Sequence, residues 1–148
     1  MVAEKAADIA SIWSDPMLYF GGTDCPFGKT KAEVQTNLTS NYHSKNTKIL
    51  VSAFGATEFP TTQGLPAKKT CLELAQFVKD NDLDGLDFDW EDNGAMDAGT
   101  GEEWLIECTK AARTILPVGK YLITHAPQAP YFIGKPRYPN GGYVTVHA

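Results

Sequence analysis

Leu83-Asp84-Gly85-Leu86-Asp87-Phe88-Asp89-Trp90-Glu91-Asp92 decides how this chain is read. From Leu86 to Glu91 apolar residues and carboxylates alternate strictly. Successive side chains of a β-strand point to opposite faces, so Asp87, Asp89 and Glu91 share one face while Leu86, Phe88 and Trp90 share the other. Neighbours on one face stand about 6.6 Å apart along the strand. Carboxylates this close, facing a poorly solvated site, do not all ionise cheaply, because like charge and desolvation both raise the pKa. At least one is expected to keep its proton near neutral pH.

Working outward, Lys48-Ile49-Leu50-Val51-Ser52-Ala53-Phe54-Gly55 and Tyr121-Leu122-Ile123-Thr124-His125 read as two more strands. Between the strands lie helical patterns. Thr30 to Glu33 forms a capping box ahead of Val34, Leu38 and Tyr42, and the helix is expected to end between Asn41 and Asn46. Cys71, Leu74, Ala75 and Val78 make the apolar stripe of a helix from Ala67 to Asn81, with Thr70 and Glu73 as a capping pair. Trp104, Cys108, Ala111 and Ile115 do the same for a helix ending at Pro117, capped by Thr100 and Glu103. Asn93 to Thr100 reads as a loop, and the prolines at 127, 130, 136 and 139 predict an extended tail. Val2 to Trp13 has helical spacing, Met17 to Phe20 is a short apolar run, and Tyr143 to His147 alternates like a strand.

Strands that begin roughly 35 to 40 residues apart with helices between them imply right-handed βα units on a parallel sheet. The fold class is therefore α/β, in a single domain: a helical or irregular segment over 1–28, a βα core over 29–125 and a Pro/Gly-rich tail over 126–148. In such folds function sits at the C-terminal ends of the strands. Gly55, Glu91 and His125 all fall there, so three strands converge on one site.

The chain has 148 residues, 43% of them hydrophobic, enough for one domain with a core of its own. A net charge of −5 supplies neither the basic footprint of a nucleic-acid binder nor a polybasic membrane patch. No apolar run reaches membrane-spanning length, and acids at positions 4 and 8 interrupt any signal-peptide pattern. The expected location is either the cytoplasm or, for a mature form, outside the cell. Cys25, Cys71 and Cys108 are too widely spaced for a zinc motif or a disulfide framework, so Cys71 and Cys108 are expected as buried apolar residues of their helices. Asn37-Leu38-Thr39 is a glycosylation sequon, relevant only to a secreted chain.

Three readings of the acidic strand compete. Charges on a solvated edge strand would discourage aggregation, but the apolar residues between them and the flanking helices describe a central strand. A hard cation such as Mg²⁺ or Ca²⁺ suits carboxylate oxygens, yet no second acidic cluster completes a shell. Acid catalysis uses all three residues, one protonated carboxyl at the mouth with neighbours that tune it and stabilise a cation. No metal and no cofactor is expected on this reading.

Asp84-Gly85-Leu86-Asp87-Phe88-Asp89-Trp90-Glu91 resembles, position for position, the DGxDxDxE signature of glycoside hydrolase family 18, the chitinases and endo-β-N-acetylglucosaminidases. Ser52-Ala53-Phe54-Gly55 is similar to that family's SxGG segment, with Ala56 in place of the last glycine. Leu122 to Phe132 is similar to the fifth strand of fungal-type members and its following loop. The resemblance implies substrate-assisted retaining hydrolysis of β-1,4-linked N-acetylglucosamine, in chitin oligomers or the N-glycan core. By position, Glu91 is the general acid. Asp89 orients the substrate's N-acetyl group and stabilises the oxazolinium ion, and Asp87 shares a proton with Asp89. Ser52, Gly55, Asn93, His125, Gln128 and Tyr131 are the candidate substrate-binding residues, while the parity of Trp90 puts it in the core.

The family's (β/α)₈ barrel typically takes about 250 residues. The resemblance therefore implies a partial, truncated barrel, with the tyrosine-bearing motif that holds the N-acetyl group unmatched. Unpaired edges and an uncovered face suggest completion by homodimerisation. The rival expectation is a lectin-like or otherwise repurposed fragment that binds carbohydrate without turnover.

Overall fold

The apolar runs around the carboxylates become three parallel strands in the computed structural model, which describes residues 31–132 and Tyr143. Helix α1 (Lys31–His43) leads to β1 (Leu50–Phe54), α2 (Ala67–Asp80) and β2 (Gly85–Asp89). A short α3 (Asn93–Ala98), α4 (Gly101–Ile115), β3 (Leu122–His125) and a single 3₁₀ turn over Ala129–Phe132 complete the order. The expected helix over 2–13, the run 17–20, Cys25 and residues 144–147 lie outside the described residues.

The sheet order is β1-β2-β3, with the carboxylate-bearing strand in the middle. Ser52 pairs with Asp87 and Phe54 with Asp89 on one side, while Asp87 pairs with Thr124 and Phe88 with His125 on the other. In-register residues of a parallel sheet share a face, so Ser52, Asp87, Asp89 and Thr124 form one surface. The opposite surface, with Ala53, Leu86 and Phe88, is buried under α2 and α4, which pack against each other. Each fully buried Leu or Phe there contributes about 1.5–3 kcal/mol. Trp90 is 1% exposed, as its parity predicts. Its indole lies so close to the first residue of α4 that a Cβ on Gly101 would stand 2.4 Å from Cη2. Only glycine leaves room for the ring.

Four local readings change in three dimensions. Residues 93–98 form a helix rather than a loop, because the Asp92 side chain accepts a hydrogen bond from Ala95 N at 3.1 Å and caps it. Thr70 does not cap α2, since the helix already begins at Ala67; its hydroxyl bonds the Pro66 carbonyl at 2.9 Å. Thr100 holds the N-cap position of α4 but donates to the Ala95 carbonyl at 3.3 Å, so it ties α3 to α4 instead of capping. Cys71 and Cys108 are fully buried as expected, yet they form a disulfide between α2 and α4 with their Cα atoms 5.2 Å apart. Residues 37 apart in sequence meet because the apolar stripes that carry them pack face to face. Among the described residues no helix is long and apolar enough to cross a membrane.

Candidate active site

Asp87 is held from both sides. Ser52 on β1 donates to its Oδ2 at 2.7 Å, and Thr124 on β3 donates to its Oδ1 at 2.5 Å. Each strand neighbour thus holds a separate oxygen of the one side chain and fixes its orientation.

Asp89, two residues nearer the strand's end, lies in a different setting. Partial burial pushes its carboxyl above the ordinary aspartate value of 3.8, and the charges of Glu91 and Asp87 push it the same way. The direction is the one that neighbouring carboxylates on one face predict for this residue.

The space beside Asp89 depends on an unusual backbone. Phe54 is in register with Asp89 and by parity belongs on the carboxylate face. Its φ of 87° turns it the other way, and its ring stacks 6.1 Å from Phe88 and edge-on 5.7 Å from Trp104. A left-handed conformation costs a non-glycine residue on the order of 1–2 kcal/mol, which the aromatic contacts on the helix side offset. Gly55 follows at φ 76° and donates its amide to the Asp89 carbonyl at 2.7 Å. A Cβ added to Gly55 would stand 3.7 Å from Asp89 Oδ2, so a glycine here leaves the approach to that carboxylate open.

Glu91 is half-buried just past the end of β2. The Asn93 side chain reaches back to the Glu91 carbonyl oxygen at 3.4 Å, so Asn93 contacts the backbone of the acid. Next to Glu91, Asp92 is completely buried. Besides capping α3 it accepts Thr62 N at 2.7 Å and the Thr62 hydroxyl, binding the loop after β1 to the end of β2. Trp90 Nε1 to Thr61 Oγ1 at 3.3 Å and Trp104 Nε1 to the Leu65 carbonyl at 2.7 Å secure the same loop.

Asp84 belongs to the opposite end of the strand. Burial raises its carboxyl, but the Ile49 amide at 2.9 Å, Lys48 at 2.9 Å and His43 at 2.6 Å outweigh it and hold the group below 3.8. Its contacts fix α1 and the start of β1 to β2, far from the mouth.

Ser52, Gly55, Asp87, Asp89 and Glu91 thus come together at one face and one end of the sheet. Three other candidates do not join them. His125 pairs with Phe88 on the helix side, with ring centroids 5.0 Å apart and its Nε2 3.3 Å from Thr109 Oγ1 on α4. Desolvation holds its imidazole below the ordinary 6.5, against the opposing pull of Asp87. Tyr131 is fully buried, edge-on to Trp90 at 5.8 Å and to Tyr143 at 5.7 Å, so it supports the back of the strand. Gln128 precedes the 3₁₀ turn, and its carbonyl accepts Tyr131 N at 3.0 Å.

Two residues of the site escape a sequence reading. Parity leaves Thr124 on either face until the register of β3 is known. Asp92 does carry a local signal, an N-cap residue three positions before Ala95, but the helix it starts has only six residues. Among the described residues no group of His, Cys, Asp and Glu is arranged to hold a metal ion.

No protein-family model and no curated protein matches the chain. Among solved structures it is similar to a GH18 chitinase from Pseudoalteromonas aurantia, at 29% sequence identity and a TM-score of 0.64. The likeness covers 77% of this chain and 44% of the chitinase, so the chain spans less than half the length of that structure. The α/β arrangement is accordingly that of a family 18-like fold.

Proposed function

We propose that this chain is a chitinase-like glycoside hydrolase that cleaves β-1,4-linked N-acetylglucosamine by substrate-assisted retention. The observation that carries the reading is the row Asp87, Asp89 and Glu91 at the C-terminal end of the central strand, in a chain similar to a chitinase over most of its length. The same similarity supports the choice of substrate class. The likeness of Leu122 to Phe132 to fungal-type members supports placing it near them.

On this reading Glu91 protonates the glycosidic oxygen, its position past the strand's end giving it the reach. The substrate's own acetamido oxygen attacks the anomeric carbon, and the C–O bond to the leaving sugar breaks as Glu91 gives up its proton. Asp89 lies next to the cationic oxazolinium so formed. One of its carboxyl oxygens accepts the acetamido N–H, and the negative charge of the acidic row stabilises the positive charge as it develops. Water then opens the oxazolinium with Glu91 as base. Gly55 leaves Asp89 accessible, and Ser52 fixes the deeper Asp87.

A second reading, carbohydrate binding without turnover, is favoured by the open carboxylate face, on which Ser52, Leu122 and Thr124 are exposed. The same openness motivates a homodimer, which a strictly monomeric sedimentation profile at high concentration would exclude. Hydrolysis of N-acetylglucosamine oligomers and of a diacetylchitobiose-linked glycopeptide separates the two functions. Glu91→Gln is expected to lower turnover by about 10²–10⁴-fold while leaving binding measurable by calorimetry. Equal residual activity in wild type and Glu91→Gln, with binding retained, would establish the second reading.

A further inference from the structure

We propose that Asn37 is an N-glycosylation site and that the chain folds in an oxidising, secretory compartment. Nothing in this depends on the hydrolase reading. Asn37-Leu38-Thr39 is the only Asn-x-Ser/Thr triplet in the sequence, and taken alone it is a weak signal. Two structural observations give it weight. The first is the Cys71–Cys108 disulfide, buried completely between α2 and α4. Such bonds form and persist in oxidising surroundings, whereas cytosolic thiols are kept reduced. The second is the seat of the triplet on α1. Asn37 is exposed, as are Glu33, Thr36 and Ser40, which lie beside it at helical spacing on one outer face. Leu38 and Thr39, at 5% and 4% exposure, turn the other way. A saccharide on Asn37 therefore extends into solvent and displaces none of the core.

The donor is a saccharide carried on a polyprenyl diphosphate. Transfer joins the Asn37 Nδ2 to the anomeric carbon of that saccharide. The C–O bond to the diphosphate breaks, the diphosphate leaves with the electron pair, and the amide gives up one proton. Closing the Cys71–Cys108 bond removes two electrons and two protons from the thiols, taken up by a disulfide-bearing oxidant protein that becomes a dithiol. Burial sets the order of events. Thr39 supplies the hydroxyl that defines the triplet, yet in the folded chain it is packed away and donates to the Thr36 carbonyl at 3.2 Å. The triplet is therefore read before α1 packs down. Asn37 also precedes both cysteines in the chain, so the acceptor is presented before α2 and α4 can be joined.

The test translates the full chain behind a secretory leader into endoplasmic-reticulum microsomes. Wild type is expected to gain one glycan, which an N-glycan amidase removes, leaving an aspartate at position 37 in the peptide mass. Asn37→Gln is expected to abolish the shift and Thr39→Ser to keep it. Thiol alkylation of the wild-type product is expected to find Cys71 and Cys108 protected. A second arm offers purified chain to detergent-solubilised oligosaccharyltransferase with a lipid-linked saccharide donor. The reduced and alkylated chain is expected to be modified, and the folded, oxidised chain refused. Wild type that enters microsomes without gaining a glycan would overturn the site. Alkylatable Cys71 and Cys108 in that product would overturn folding by oxidation, and a folded chain modified as readily as the unfolded one would overturn the order. The wild-type readouts need no variant to fold. None of them uses hydrolysis, so their failure leaves the hydrolase reading standing, and inactivity of the enzyme leaves the glycosylation site standing.

Discussion

Replacing Asp92 by alanine removes a buried junction on which the catalytic end of β2 depends. Three donors converge on this carboxylate: Ala95 N at 3.1 Å, Thr62 N at 2.7 Å and the Thr62 hydroxyl. Loss of the cap on α3 costs about 1 kcal/mol. Thr62 is exposed, so its two donors regain water once released, and each lost bond counts only about 0.5–1 kcal/mol. The expected destabilisation is therefore about 2–3 kcal/mol. Because α3 is short and the loop after β1 is also tied through Trp90 and Trp104, the fold should survive. Urea unfolding followed by tryptophan fluorescence measures the loss, and turnover of N-acetylglucosamine oligomers shows whether Glu91, one residue away, has lost its placement. Asp92→Asn keeps a carbonyl for one of the donors and is expected to cost about half as much. Removing Thr62 in the Asp92→Ala background should add less than about 0.5 kcal/mol, since the two share one interaction. An Asp92→Ala cost below about 0.5 kcal/mol would refute the junction, because a fully buried carboxylate with three donors cannot be lost so cheaply.

Reduction of the Cys71–Cys108 bond opens a loop of 37 residues between α2 and α4, worth about 4 kcal/mol in the chain-entropy account. Packing between the two helices remains, so a fall of about 2–4 kcal/mol in urea unfolding with dithiothreitol is expected, and an equal fall in Cys71→Ala/Cys108→Ala; no change would mean the thiols are unpaired in solution. Stability against pH should show two separate limbs. Asp84 is lower in the folded state than the ordinary 3.8, so its contribution is present above that value and lost as pH falls through the folded value. Asp89 is higher in the folded state, so its contribution is present below 3.8 and lost as pH rises through the folded value. Asp84→Asn should flatten the acid limb and Asp89→Asn the one above it, as measured by thermal unfolding across the pH series; a variant that leaves its own limb unchanged would refute the assignment.

Element order was legible in the sequence because it is local. The period of two from Leu86 to Glu91 makes a strand with one acidic and one apolar face whatever lies around it, and the buried Trp90 follows from parity alone. The apolar stripes through Leu74 and Trp104 likewise made α2 and α4 where they were expected. The short helix after Glu91 was not legible, since six residues carry too little periodicity to outweigh Gly94 and Gly99.

The sequence by itself therefore determined which carboxylates share a face and in what order they approach the mouth. Tertiary structure decided what each of them meets. The hydroxyls that clamp Asp87 lie 35 and 37 residues away on different strands, and only the register of the parallel sheet brings them to opposite oxygens. That register also turned His125 toward Thr109, and the left-handed backbone at Phe54 swung its ring off the carboxylate face. A side chain's periodicity is fixed by its own backbone, but its hydrogen-bond partners and its protonation are fixed by neighbours that chain folding alone selects.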